Sequence, residues 1–235
     1  MKNLLNFLLE IEKLKGKERR GWMIHKIKNG ETTAEHIWHL VMLVWVLGRK
    51  KRINMEKALK IALVHDLCEI YSPDFTSYDA ANLKEKGRIS LKEIMKTIPK
   101  PARPNNLQRK KLEKLKQKLE KKAFDKLIKC LPIDLRKEIK NLWMDYENGY
   151  SKEGRFVKQA DKTINLFQGL VYWKKYGKIQ HNLWIRRAKE VLDDKVLVEF
   201  MQTLEKEFCK KGRKKKELRI PLFMEKIMTL FLFYF

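Results

Sequence analysis

An apolar run at residues 58–64 leads directly into a histidine and an aspartate. The run, ALKIALV, is apolar on nearly every face of a helix, and a helix of this kind is usually central and buried. His65 and Asp66 follow at once, so we expect them to enter the interior as well. Because a buried carboxylate without a cation costs several kcal/mol, the fold must supply a positive charge close to Asp66.

The rest of the chain has helical spacing, with no clear strand alternation and no hairpin dipeptide. Thr32 and Glu35 form a capping-box pattern that opens a helix reaching residue 47, and Gly48 is placed to end it. Asn54 can cap the helix that holds the apolar run. We therefore predict an all-α protein, with further helices at residues 4–11, 82–97, 107–131, 133–146, 155–176 and 178–208.

Three more polar residues lie in stretches that are otherwise apolar, namely His36, Glu69 and Asp161. Glu69 follows the histidine–aspartate pair by one helical turn, so we expect it on the same face. A lone inward histidine is more often a satisfied core residue, and one inward acid could pair with Lys158 or Lys162. Three inward acids together with two histidines are better explained by a bound cation.

The ligand types and the cysteines limit the identity of that cation. Histidine and carboxylate ligands suit one divalent ion such as Mn, Co, Fe or Zn. The three cysteines, Cys68, Cys130 and Cys209, are widely spaced and odd in number, so neither a disulfide framework nor a CxxC zinc site is predicted. This cysteine usage fits the reducing cytoplasm, which is the predicted location.

Four sequence blocks in this order resemble the HD-domain superfamily of metal-dependent phosphohydrolases, and more closely its 5′-deoxynucleotidase branch. The blocks are TAEH at 33–36, ALVHDLCE at 62–69, LWMDYE at 142–147 and FVKQADK at 156–162. The HD dipeptide alone is a weak signal, whereas the four blocks together are specific. The resemblance covers roughly residues 4–176 and implies a helical bundle.

The resemblance also implies roles for particular residues. It implies one divalent ion on a set of four ligands, which are His36, His65, Asp66 and Asp161. Glu69 and Asp74 match acidic positions that act in catalysis and substrate contact, and Trp22 matches an aromatic residue that shapes the sugar pocket. No histidine lies between Asp66 and Asp161, which argues against the two-metal centre of HD phosphodiesterases.

This chain departs from the pattern at the predicted phosphate contact. The branch often has an arginine close to the tryptophan, whereas Gly21 directly precedes Trp22 here. Arg19 or Arg20 could supply the guanidinium that grips phosphate, and we favour Arg19. Pro73 replaces the usual small residue before Asp74, so the exact substrate stays open.

The predicted reaction is hydrolysis of a nucleoside 5′-monophosphate, with a deoxynucleotide favoured. A divalent ion would make hydroxide available near neutral pH, and Glu69 would be the general acid or base. The alternatives are a phosphohydrolase for another nucleotide, or a nucleic-acid-associated HD protein without turnover.

The net charge of +25 is distributed unevenly. Residues 84–126 carry 16 Lys and Arg against 5 Asp and Glu, and a second basic run occupies residues 210–216. Such segments attract nucleic acid or other polyanions. Neither run has the interleaved aromatic residues on which single-strand binders stack bases, so nucleic-acid contact stays a secondary expectation.

The predicted organisation has two parts. Residues 1–176 form the HD domain, with the basic insertion at about 84–126. Residues 177–235 form a helical extension with the basic run and an apolar tail, which Glu225 and Lys226 interrupt and which is too short to span a bilayer. A last helix packed on the body or on a second subunit is favoured over a membrane-surface anchor, and a homodimer is expected.

Overall fold

The computed structural model describes residues 1–82 and 104–209, and within these ranges the protein is all-α. One isolated antiparallel bridge joins Glu18 and Thr32. Three short 3-10 helices lie at Lys13–Gly16, Leu67–Ile70 and Asp79–Asn82. The α-helices are α1 (Lys2–Glu12), α2 (Arg20–Ile24), α3 (Thr33–Gly48), α4 (Met55–Val64), α5 (Asn106–Ile128), α6 (Ile133–Asn148), α7 (Lys152–Tyr176), α8 (His181–Val191) and α9 (Lys195–Cys209).

Two of the predicted helix starts are confirmed by their caps, whereas the helix predicted from residue 155 begins at Lys152. The Thr32 hydroxyl accepts from the backbone N–H of Glu35, whose carboxylate accepts from the backbone N–H of Thr32, so the capping box is complete. Asn54 caps α4 by accepting from the N–H of Lys57 at 2.9 Å. Gly48 is the last residue of α3 rather than a stop after it.

Helices α3, α4 and α7 pack against one another, and α6 covers α4 and α7. Their shared faces are fully buried at several apolar positions, among them Leu40, Val44, Ile61, Ala62 and Val157. Helices α3 and α7 also carry polar residues toward this core, His36 and Asp161, and His65 follows directly after α4. The polar residues predicted to point inward therefore lie where three helices meet.

The structure corrects the expectation that α4 continues through Glu69. The α-helix ends at Val64, and Asp66 leaves helical backbone geometry at φ −107° and ψ 11°. Glu69 belongs to the 3-10 helix that follows. This turn is stabilised by a contact from outside the helix, because Lys17 donates from Nζ to the backbone carbonyls of Glu69 and Ser72.

Helices α8 and α9 pack against the C-terminal half of α7 through a second apolar cluster, which includes Leu170, Ile185 and Met201. Gly177 ends α7 in the left-handed conformation, at φ 69°. The predicted domain boundary at residues 176 and 177 coincides with this turn and stays a prediction.

Parts of the predicted appendages lie outside the described residues. These are the helix predicted to reach residue 97, the insertion up to residue 103, the basic run at 210–216 and the apolar tail. The described part of the insertion forms most of α5. Within the described ranges, no helix has both the length and the apolar character needed to cross a membrane.

Candidate metal centre

Two imidazoles and two carboxylates from three elements converge at the centre of the bundle. His36 comes from α3, His65 and Asp66 from the end of α4, and Asp161 from α7. Nε2 of His36 lies 3.1 Å from Oδ1 of Asp161, and Nε2 of His65 lies 3.1 Å from Oδ2 of Asp66. One ligand atom each from His36, His65 and Asp161 lie within 4.8 Å of one another.

Asp66 completes the group, because its Oδ2 also lies 3.8 Å from Nε2 of His36. The two histidines are 0% and 1% exposed and Asp161 is 4% exposed. The side chain of Asp66 is 17% exposed, so Asp66 lies on the side of the cluster that is open to solvent. The structure thus brings together the four residues predicted to hold the ion.

The orientation of His65 fits a bound cation. Its Nδ1 lies 2.8 Å from the carbonyl oxygen of Ala62, and because a carbonyl can only accept, Nδ1 carries the proton. Nε2 then presents its lone pair toward the carboxylates. It lies 3.1 Å from Oδ2 of Asp66, yet this buried atom makes no contact of hydrogen-bond geometry with the described residues. A divalent ion between two imidazoles and two carboxylates would satisfy that lone pair, so the donor set fits the implied metal.

Three side chains donate to the carboxylate of Asp161. The Tyr146 hydroxyl donates to Oδ2 at 2.9 Å, and the Lys162 ammonium lies 2.8 Å from the same oxygen. Asn165 donates from Nδ2 to Oδ1 at 2.8 Å. These contacts fix the direction of the carboxylate before any ligand binds.

Burial and local charges set the protonation of the cluster. Burial opposes ionisation of Asp161, but the charge of Lys162 and the hydrogen bond with His36 outweigh it and hold the pKa of Asp161 well below its usual range. Burial, and then the charge of Arg19, lower the pKa of His36. Burial acts in the same direction on His65, yet the neighbouring Asp66 raises the pKa of His65 above its usual value.

Arg19 joins the metal cluster to Asp74. It donates from Nη1 to Oδ2 of Asp66 at 2.6 Å, and its Nε lies 3.4 Å from Oδ2 of Asp74. Burial disfavours the charged guanidinium, but Asp74 and Asp66 more than compensate and raise the pKa of Arg19. Arg19 is therefore a permanent cation beside the ligands, on the side of Asp66.

The guanidinium of Arg20, the alternative phosphate contact, is bound to Asp79 and not to the residues of the cluster. Its guanidinium is buried and bonds to both oxygens of Asp79, with an Nη2 to Oδ1 distance of 2.7 Å. Its backbone N–H donates to Oδ2 of Asp74 at 2.9 Å. Of the two arginines, Arg19 reaches the cluster through its side chain, and Arg20 fixes the position of Asp74 through its backbone.

Glu69 is buried on the 3-10 helix that follows the ligand pair. Its Oε2 accepts from the hydroxyl of Thr33 at 2.9 Å. Burial, and then the charges of Asp66 and Asp74, raise the pKa of Glu69 well above its usual value. A carboxyl group in this environment favours the protonated form, which suits a group that exchanges a proton.

Trp22 is 2% exposed and belongs to an aromatic cluster. Its indole N–H donates to Oε2 of Glu31 at 3.1 Å, and its ring stacks on Trp184 with centroids 5.4 Å apart. An edge contact with Tyr172 covers it further. The ring therefore contributes to the core beside Arg19 and Arg20, and its predicted contact with a sugar stays a prediction.

Thr33, Tyr146 and Asn165 are site residues to which sequence reasoning gave no role. Thr33 and Tyr146 occur inside the quoted blocks, and Asn165 lies one helical turn after Asp161, where an i to i+4 contact is expected. The pairing of Lys162 with Asp161 was among the alternatives weighed from the sequence, and it occurs together with the ligand cluster.

Fold and site together define the class of this protein. The family model described as HD domain matches residues 11–204, and the chain belongs to that family. The resemblance drawn from the four sequence blocks, and the all-α fold that it implied, are confirmed.

Several relatives that align with most of this chain are named as nucleotidases. The Mus musculus protein 5′-deoxynucleotidase HDDC2 is 29% identical over 169 residues, which cover 72% of this chain and 69% of the mouse protein. The Schizosaccharomyces pombe protein 5′-deoxynucleotidase hdd1 is 30% identical over 175 residues, which cover 74% of this chain and 75% of the yeast protein.

Solved structures share the fold at lower identity. PH0347 protein from Pyrococcus horikoshii superposes with a TM-score of 0.59 at 24% identity, covering 86% of this chain and 98% of that one. A protein described as a predicted metal-dependent phosphohydrolase, from Magnetospirillum magnetotacticum, gives 0.58 at 21% identity, covering 88% and 94%. These likenesses support the helical architecture.

Proposed function

We propose that this protein is a metal-dependent 5′-deoxynucleotidase that hydrolyses deoxynucleoside 5′-monophosphates to deoxynucleoside and phosphate. One observation carries the proposal, namely that Arg19 donates to Asp66 at 2.6 Å, and that Asp66 lies at the edge of the buried cluster of His36, His65 and Asp161. A cation site beside a guanidinium suits a dianionic phosphate. The names of the related proteins point to the same substrate class.

His36, His65, Asp66 and Asp161 would hold one divalent ion, which we propose to be Mn, Co, Fe or Zn. A bound ion of this kind supplies a positive charge for a phosphoryl oxygen and acidifies water at neutral pH. Tyr146 and Asn165 keep the Asp161 carboxylate directed at the cluster during turnover.

The surrounding residues would bind the phosphate, transfer the proton and contact the sugar. Arg19 releases its contact with Asp66 and grips the phosphate, because its planar fork matches two phosphate oxygens. Glu69, oriented by Thr33, exchanges the proton between water and the departing 5′ oxygen. Asp74, held by the backbone of Arg20, accepts a hydrogen bond from the sugar or from water.

Trp22 would restrict which sugars the site accepts. Its ring is fixed by Glu31 and Trp184, so it cannot turn aside for a bulkier substrate. We propose that this rigid wall, which follows Arg19 within the first turn of α2, disfavours a 2′ hydroxyl.

Phosphate release from matched deoxy- and ribonucleoside monophosphates, with Mn, Co, Mg or EDTA, tests the proposal. We expect metal-dependent release that favours deoxy substrates and is lost in Asp66→Ala. Glu69→Gln should lose turnover but retain the metal. Asp134→Ala, an exposed acid at the start of α6, is the matched control and should behave as wild type.

If no nucleotide in this panel released phosphate although the protein had bound metal, the nucleotidase proposal would be contradicted. The alternatives are then another phosphoester, or a nucleic-acid-associated role through the lysine-rich surface of α5. Affinity for nucleic acid that falls steeply with salt would favour the second alternative.

We also propose a homodimer through the outer face of α3. Trp38 and Trp45, two helical turns apart, are 59% and 56% exposed, and Val46 beside them is 54% exposed. Large apolar side chains clustered on one face indicate an interaction surface. Trp45→Lys should lower the mass measured by light scattering from that of a dimer to that of a monomer. Ile133→Lys, which replaces an apolar side chain that is 81% exposed on α6, should leave the mass unchanged.

A further inference from the structure

A cavity of about 580 Å³ opens where the turn after α3, the start of α7 and the connection between α8 and α9 come together. Its size lies within the range of pockets that hold small molecules. None of the four ligands of the metal centre lines it. The lining residues are Lys50, Lys51, Arg52, Ile53, Lys152, Arg155, Phe156, Gln159, Asp193, Asp194, Lys195 and Val196.

The charge of this cavity is strongly unbalanced, with six cationic side chains and two carboxylates. Lys51 is paired with Asp194. Asp194 also caps α9, accepting from the backbone N–H of Val196 at 3.1 Å. Asp193 accepts from the side-chain amide of Gln159 at 2.7 Å. Both acids are therefore already engaged within the protein.

The other cations are not neutralised by an acid. Among the described residues, no ion pair joins Lys50, Arg52, Lys152, Arg155 or Lys195 to a carboxylate. Arg155 donates to the carbonyls of residues 149 and 150, and Lys152 donates to the carbonyl of residue 52, so two of these cations are held in place by the backbone. Several like charges held around one concavity raise the local concentration of an anion.

The floor of the cavity is apolar. Phe156 is 2% exposed and lies beneath the Lys51 ammonium, whose Nζ is 5.2 Å from the ring centroid. Ile53 and Val196 line the same pocket. A cationic rim over an apolar floor is complementary to a molecule with a polyanionic end and a less polar body.

We propose that this cavity binds a small molecule that carries a polyphosphate group, at a site separate from the metal centre. Asp161 follows Phe156 by more than one turn of α7, and the two residues lie on different sides of the helix, since each residue turns it by about 100°. The concave shape and the small-molecule volume favour a compact polyphosphate over an extended nucleic-acid backbone.

The test is calorimetric titration of the full chain with inorganic tripolyphosphate, at fixed ionic strength and in the presence of EDTA. The variant combines Lys50→Glu, Arg52→Glu and Lys195→Glu, all exposed at the rim. The matched control combines Lys114→Glu, Lys118→Glu and Lys121→Glu, which are exposed on α5 and change the net charge equally. We expect the rim variant to bind at least about tenfold more weakly, corresponding to about 1.4 kcal/mol, and the control to bind like wild type.

A His65→Ala protein separates the two sites, and it should keep its tripolyphosphate affinity while losing the metal centre. Equal weakening in the rim and control variants would overturn the proposal, because binding would then follow net charge alone. Loss of binding in His65→Ala, or stronger binding of a short single-stranded oligonucleotide than of tripolyphosphate at the rim, would also overturn it. Should the triple variant fail to fold, Arg52→Glu alone, compared with Lys118→Glu, gives the same comparison.

Discussion

Nε2 of His36 and Oδ1 of Asp161 lie 3.1 Å apart although 125 residues separate them in the chain. The contact exists because α3 and α7 pack directly, with Val44 and Val157 completely buried in the shared core. The same packing that stabilises the bundle therefore sets the spacing of the proposed metal ligands. Changes that move α7 relative to its neighbours should affect the ion before they affect the fold.

Tyr146→Phe tests this relationship without removing a ligand. The substitution deletes the hydroxyl that donates to Asp161 at 2.9 Å and leaves the ring in place. Partners that orient a ligand typically contribute about 10–100-fold to metal affinity or activity, so we expect Mn binding about tenfold weaker by titration. Tyr150→Phe is the control, because Tyr150 is 70% exposed and should have no effect. Equal affinities in the two variants would show that Tyr146 does not orient Asp161.

Substitutions at the neighbouring residues Arg19 and Arg20 should affect different properties, namely catalytic activity for Arg19 and stability for Arg20. Arg19→Lys keeps the charge but loses the planar fork, so kcat/KM should fall at least about tenfold with little change in the free energy of unfolding. Arg20→Ala removes the ion-pair partner of the buried Asp79, which keeps its hydrogen bonds from Thr76, and breaking such a pair costs about 3–5 kcal/mol in urea unfolding. If Arg20→Lys, rather than Arg19→Lys, removed activity in a folded protein, the proposed phosphate contact would be wrong.

The proposed ligands could be found from the sequence because each lies in or directly after an otherwise apolar stretch, and because the four sequence blocks resemble the HD-domain pattern. The helical period alone would leave a lone inward histidine such as His36 as an ordinary core residue, so the set of four ligands rests on the resemblance. The position of Glu69 could not be predicted in the same way. The turn that holds Glu69 is bonded by Lys17, which comes from far upstream and donates to the carbonyls of Glu69 and Ser72.

The choice between Arg19 and Arg20 is a second point that the sequence alone could not settle. The resemblance left two adjacent arginines as candidates, with Arg19 favoured. The structure gives their side chains different partners, Asp66 and Asp74 for Arg19 and the buried Asp79 for Arg20. A bond of this kind between separate elements leaves no periodic signal. Trp22 is similar, because its partner Trp184 comes from α8, which sequence analysis placed in a peripheral extension.

Glu120 on α5 should make stability depend on pH. It is 4% exposed, and burial raises its pKa from the usual 4.5 to about 7 in the folded protein, although Lys116 opposes the shift. The folded state therefore holds this proton more tightly than the unfolded state. The stabilisation is complete below about pH 4.5 and is lost as the pH rises toward 7, by about 3 kcal/mol in total.

Glu120→Gln should remove this loss, because an amide does not ionise. In urea unfolding at pH 5 and pH 7.5, the difference in the free energy of unfolding between variant and wild type should change in favour of the variant at the higher pH. Glu113→Gln, an exposed position on the same helix, is the control and should show no such change. A pH profile of Glu120→Gln parallel to that of wild type would mean that Glu120 is not titrating in this range.

Gly154→Ala should separate α6 from α7. An added Cβ would lie 2.6 Å from the backbone oxygen of Asp145, closer than real contacts allow. Asp145 cannot yield easily, because its carboxylate accepts from the backbone and hydroxyl of Ser151 at 2.8 and 2.7 Å and pairs with Lys57. Overpacking of this kind typically costs about 1–3 kcal/mol.

A displacement of α6 relative to α7 should also change the geometry of the metal centre, since Tyr146 follows Asp145 on α6 and donates to Asp161 on α7. We therefore expect Gly154→Ala to weaken Mn binding as well as to lower the urea midpoint, whereas Gly16→Ala, whose Cβ would have no neighbour within 4 Å, should change neither. A destabilised Gly154→Ala protein with unchanged Mn affinity would show that the ligand geometry does not depend on the spacing of α6 and α7.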